Sequence, residues 1–246
     1  MRAPDVDPEE FRPLPPAGRR VTRERPVRLR DVTSRGRVRL DALADYLQDV
    51  ATDDVDDAGL VGAWVLRRLV LALGDPPQYG DAVALTTFCS GSGGRFAERR
   101  TTVSVGGRVA VEAVALWVYV DDAGRPAPLK DWFFARYGEA AGGRRVKSRL
   151  RLPPPVGDPA VRPWPLRVTD VDVLDHINNA ASWAAVEDEL GRRHADRRLA
   201  RAEMEYRKPV DLDEAIELRT RAGPDGFSCW LTHEGEVRTA ARVWFA

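Results

Sequence analysis

An aspartate, a histidine and two asparagines crowd together in the second half of this chain, in the run Thr-Asp-Val-Asp-Val-Leu-Asp-His-Ile-Asn-Asn-Ala from Thr169 to Ala180. A carboxylate such as Asp172 can orient or deprotonate a water. An imidazole such as His176 can exchange a proton with that water or with a carbonyl group. Asn178 or Asn179 stands where a helix cap is wanted. The helix start that follows offers free N–H groups and a positive dipole end to a developing oxyanion. Together these are the parts of a hydrolytic site. The same residue types also make ordinary helix caps and solvated loops, so on residue types alone both readings stay open. Asp170 and Asp175 read as solvated or capping residues, and His194 and His233 as surface residues.

The elements around this run occur twice. Asp81-Ala-Val-Ala-Leu returns as Glu214-Ala-Ile-Glu-Leu. Arg95-Phe96 returns as Gly226-Phe227. The stretch from Gly107 to Trp117 returns from Gly235 to Trp244, in the same order. In each copy a short segment (Val27–Val32; Leu166–Val171) leads into a helical stretch. Apolar residues recur there at helical spacing: Leu40, Leu43, Ala44, Leu47 and Val50–Ala51 in the first copy, and Ala180, Trp183, Ala184, Val186 and Leu190 in the second.

Strand-like runs follow, predicted at Trp64–Leu73, Ala82–Ser90, Arg95–Val105 and Arg108–Val120, then at Leu199–Lys208, Ala215–Ala222, Phe227–Glu234 and Glu236–Phe245. One helix beside a run of antiparallel strands is an α+β unit, and the helix is naturally wrapped by the sheet. The expected organisation is a disordered lead-in (1–20), a first unit (21–120), a linker (121–160) with a short helix near Trp132–Tyr137, and a second unit (161–246). Laid on one another, the copies place Thr33 near the position of Asp172 and Arg37 near that of His176. The acid–imidazole pair is therefore confined to the second copy, as expected of a duplicated fold that keeps one active site.

The 246 residues suffice for a sizeable core, and the formal net charge of zero gives no reason to expect nucleic acid or a charged membrane surface as partner. No apolar run is long enough to span a bilayer. The lead-in lacks the apolar stretch of a secretory signal. Cys89 and Cys229, one in each copy and without metal-ligand spacing, suggest neither a disulfide framework nor a metal site. The expected compartment is the cytoplasm.

At the polar run the sequence resembles the hot-dog thioesterases. Asp170-Val-Asp172, then His176-Ile-Asn178-Asn179 with Trp183 and Glu187 behind, is similar to their signature and the helix after it. The tandem layout, the run Leu47-Gln48-Asp-Val-Ala51 and the turn Tyr79-Gly80-Asp81 resemble the acyl-acyl carrier protein thioesterases of plants and bacteria. The resemblance implies a double (tandem) hot-dog, two antiparallel sheets each wrapped around a long helix. It implies a first half that shapes the acyl pocket, with Leu43, Leu47, Val50 and Ala51, and a second half that carries catalysis through Asp172, His176, Asn178 and Asn179. It implies a carrier-protein or CoA thioester as substrate, a free fatty acid as product, and no cofactor. A monomer or a homodimer is expected.

Two departures stand out. Leu174 occupies the place of the family's asparagine, and Pro209-Val210 follows Tyr206-Arg207-Lys208 where the family has Glu-Cys. Glu203 and Glu205, which alternation puts on one face of a strand, and Glu187 are candidate supporting acids. Three readings follow: a hydrolase in which Asp172 suffices, a degenerate acyl-binding protein without turnover, and a hot-dog dehydratase or hydratase.

Overall fold

The computed structural model describes residues 11–60 and 62–246. Its elements run in the order β1 (Arg20–Pro26), α1 (Leu40–Asp57), β2 (Ala63–Leu73), β3 (Ala82–Ser92), β4 (Phe96–Val105), β5 (Arg108–Val120), α2 (Asp131–Ala141), β6 (Ala160–Pro163), α3 (Trp183–Arg193), β7 (Leu199–Tyr206), β8 (Glu217–Gly223), β9 (Gly226–His233) and β10 (Glu236–Phe245). The helical stretch of the first copy becomes one long helix because its apolar residues fall on one side. Leu40, Leu43, Leu47 and Val50 are all buried against the sheet. In the second copy Ala180 to Ser182 form a turn, and the helix proper starts at Trp183.

The expectation of two separate sheets is corrected. All ten strands form one antiparallel sheet in the order β1-β3-β4-β5-β2-β7-β10-β9-β8-β6, and the halves join where β2 pairs with β7 from Arg68↔Glu205 to Ala72↔Arg201. An unpaired strand edge leaves a row of unsatisfied N–H and C=O groups. Placing the two inner edges side by side removes both. The helices lie on one face, and a single apolar cluster runs through both halves, from Leu43 and Leu47 to Trp183, Val186 and Met204.

The linker covers the opposite face. Alternation along β7 sends Ala202, Met204 and Tyr206 into the core and Glu203 and Glu205 to the back. Glu205 is fully buried there, accepting the N–H groups of Arg151 and Leu152 (2.9 Å to the latter), with Arg207 alongside. Glu203 pairs with Arg68 at 2.7 Å and with Arg201 at 3.3 Å. Of the expected lead-in, residues 1–10 lie outside those described. The remainder is irregular but anchored: Arg19 binds Asp54 at 2.6 Å and Asp57 at 2.7 Å, and β1 begins at Arg20. His194 is also not a plain surface residue, because its ring stacks on Phe227 with centroids 5.0 Å apart. Burial there lowers its pKa.

Candidate functional site

The segments ahead of α1 and α3 fold alike, hydrogen bond for hydrogen bond. In the first half Thr33 N donates to Arg37 O (2.8 Å), Gly36 N to Thr33 O (2.9 Å) and Arg39 N to Asp31 O (2.8 Å). In the second half Asp172 N donates to His176 O (2.9 Å), Asp175 N to Asp172 O (3.0 Å) and Asn178 N to Asp170 O (2.8 Å). The register read from sequence, Thr33 with Asp172 and Arg37 with His176, is the register of the structure. Each turn needs one residue at positive φ: Gly36 at 86° in the first, Asp175 at 63° in the second. Even the side-chain closure is shared. Asp172 Oδ1 accepts the N–H of Leu174 at 2.9 Å, as Thr33 Oγ1 accepts that of Arg35 at 3.3 Å. Asp172 thus has a turn-forming role, and its second carboxylate oxygen carries no partner among the described residues.

A cleft of about 2120 Å³ brings the two halves together at this loop. Asp172, Leu174, Asn178 and Asn179 line it from the second half, and Asp45, Gln48 and Ala51 from α1. The cleft then continues into the first half, where Val55, Trp64, Cys89, Ala97, Trp117 and Phe133 form an apolar wall. Burial pushes the Cys89 thiol up to about 11, so this thiol stays protonated and serves as an apolar lining group.

Asn179 is held from behind. Tyr206 accepts the indole N–H of Trp183 at 2.9 Å and donates its hydroxyl to the Asn179 carbonyl at 3.2 Å. Burial raises the phenol's pKa well above its ordinary value, so it remains a neutral donor. The N–H of Asn179 forms no hydrogen bond among the described residues. Asn178 ties the turn together, its Oδ1 accepting Ala180 N at 2.8 Å. It caps that turn rather than α3, whose N-cap is Ser182.

Several expected site residues are elsewhere. His176 does not line the cleft; its ring turns outward, half exposed, to Asp211 with Nδ1 2.7 Å from Oδ1. Glu203 and Glu205 lie on the back of the sheet and are not available as supporting acids. Glu187 does line the cleft, but both its oxygens are engaged: one by Arg37, the other by the N–H of Leu40 at 2.9 Å. It serves as the N-terminal cap that α1 lacks in its own sequence. Leu43 and Val50 belong to the core, Leu47 faces a separate void of about 20 Å³, and only Ala51 of that set reaches the cleft.

The sequence reading passed over Asp211 and gave Gln48 no role. Counting along the repeat from Thr33 and Asp172 pairs Gln48 with Glu187, which was the available signal.

Comparison with known proteins bears on this arrangement. The acyl-ACP thioesterase N-terminal domain matches residues 18–137, and the acyl-ACP thioesterase C-terminal domain matches residues 155–244. The uncharacterized protein Rv2001 of Mycobacterium tuberculosis is 30% identical over 217 residues, covering 86% of each chain. An acyl-ACP thioesterase from Bacteroides thetaiotaomicron superposes with a TM-score of 0.78 at 20% identity, over 92% of this chain and 98% of that one. The 12:0-ACP thioesterase from Umbellularia californica superposes with a TM-score of 0.78 at 18% identity, over 92% and 97%. At that identity the two structures speak for a shared hot-dog-type fold, while the two domain matches divide between them the halves that the hydrogen bonding shows to be repeats. On both grounds this chain belongs to the acyl-ACP thioesterase family.

Proposed function

We propose that this protein hydrolyses the thioester of an acyl-acyl carrier protein or acyl-CoA to a free fatty acid, at one site, with Asp172 as the general base. The observation that carries the reading is the position of Asp172. Its unpartnered carboxylate oxygen lines a cleft that also holds the free N–H of Asn179 and runs on into the apolar wall of the first half. In the reaction, the carboxylate takes a proton from a water whose oxygen attacks the thioester carbonyl. The carbonyl π electrons move onto oxygen, which the Asn179 N–H stabilises. Collapse of the intermediate breaks the C–S bond, and the leaving thiolate recovers the proton from Asp172. The acyl chain lies against Ala51, Trp64, Ala97 and Trp117.

Arg162 and Arg192, which share Asp188, and Arg167, paired with Asp170, also line the cleft. They suit the phosphate that both carriers place on the thiol-bearing arm.

The test is a hydrolysis assay over matched acyl-carrier protein and acyl-CoA series of increasing chain length, read by capture of the released thiol. Release well above the uncatalysed rate with one series or both is the expected result. Saturable binding of the same thioesters with no thiol released would mean a protein that holds acyl groups without turning them over, and would overturn the reading.

A further inference from the structure

The two loop–helix junctions are the same structure in two chemical states. In the first half, Glu187 reaches across from α3 and sets a carboxylate oxygen on the N–H of Leu40, with Arg37 neutralising its charge. That junction is closed by the protein's own anion. Carried along the repeat, Leu40 corresponds to Asn179, Arg37 to His176 and Glu187 to Gln48. In the second half every feature of the closure is missing. Asn179 N–H is unpartnered, His176 faces away toward Asp211, and the reaching residue is a neutral amide that forms no side-chain hydrogen bond among the described residues. α1 and α3 pack together as a pair, so Gln48 occupies toward the second loop the place that Glu187 occupies toward the first. Gln48, Asn179 and Asp172 line one cleft.

We propose that Gln48 is a catalytic residue lent by the first half to the site in the second. Its side-chain amide donates an N–H to the thioester carbonyl oxygen opposite the N–H of Asn179, so that two donors hold the oxyanion. The Glu187 carboxylate marks where that oxygen rests, because in the first half it occupies the corresponding position. A carboxylate at position 48 would fill the second site in the same way and repel the developing charge. An amide leaves it open and adds a donor. This assignment rests on the thioesterase reading of the Asp172 site.

The experiment compares Gln48→Met and Gln48→Glu with wild type in steady-state hydrolysis of the best acyl thioester of the series, with thermal melts alongside. Methionine keeps length and helix propensity but cannot donate. Gln48→Met is expected to lower kcat about a hundredfold, the order found when one oxyanion donor is removed, with KM within about threefold. Gln48→Glu, nearly the same shape, is expected to lose more. Wild-type kcat in both variants, or a loss confined to KM, would overturn the assignment while leaving the thioesterase reading intact. No turnover by wild type on any thioester would remove both. If a variant's melt shifts, Gln48→Asn gives a second comparison. It keeps the amide but withdraws it by one methylene, and it is expected to lose kcat as well. Full kcat in Gln48→Asn would likewise count against the assignment.

Discussion

Asp172 and His176 stand on one tight turn, yet their side chains go to different sides of it. The carboxylate faces the cleft and the imidazole reaches Asp211. The pairing that residue types suggest is therefore divided by backbone geometry, since the turn carries Asp175 at a φ of 63°. Which residues could do chemistry was legible in sequence, and so was their confinement to the second copy. Their direction was not, because one dihedral at one residue decides it and no local pattern encodes that choice. The placement has a kinetic consequence. His176→Ala is expected to lower kcat by less than about tenfold, against the hundredfold or more typical of losing a general base. A His176→Ala loss as large as that of an Asp172 variant would show that the ring swings into the cleft during turnover. Leu174 is 64% exposed, so the family's asparagine is replaced at no cost in packing.

At the scale of elements, α1 has two working faces. Leu43, Leu47 and Val50 pack on the sheet, while Asp45, Gln48 and Ala51 line the cleft. The helical period showed which residues share a face. It did not show that the acyl wall comes mainly from strands and α2, because that depends on contacts between distant segments. Ala51→Phe is expected to shift preference toward shorter acyl chains, whereas Leu43→Ala should cost about 2–5 kcal/mol of stability without altering chain-length preference. A chain-length profile unmoved by Ala51→Phe would remove α1 from the pocket.

The cleft face also carries a charge conflict. Partial burial, with Asp49 and Asp41 nearby, raises Asp45 from 3.8 to about 6. The folded state thus binds this proton more tightly than the unfolded chain, and stability falls as pH rises from about 4 to about 6. Asp45→Asn is expected to melt higher than wild type near pH 8 and to show no advantage near pH 4. Equal melting points at both pH values would contradict the assigned cause.

Across the whole molecule the duplication is more complete than sequence matching suggests, and the separation between halves is less. The repeat could be read because periodicity and turn residues recur in order. The joint between the sheets could not, because hydrogen bonding of β2 to β7 follows from where two edges meet, and neither strand's own pattern records it. Buried Glu203 and Glu205 give one measure of this. They look like solvated residues in sequence and turn out to bind the first half's Arg68 and the linker's backbone N–H groups. One sheet and one apolar cluster imply one cooperative unit. Unfolding in denaturant is expected as a single transition, coincident by far-ultraviolet circular dichroism and tryptophan fluorescence. Two separated transitions would mean that the halves fold independently across the joint.

The same view of the molecule, two repeats serving one open site, is tested most directly by a single-turnover measurement of wild type and Asp172→Asn on one acyl thioester, with melting points recorded for both. The expected result is rapid thiol release by wild type and a loss of about a hundredfold or more in the variant at an unchanged melting temperature. Wild-type release by Asp172→Asn would contradict the account, reducing Asp172 to the turn-forming residue that its counterpart Thr33 is.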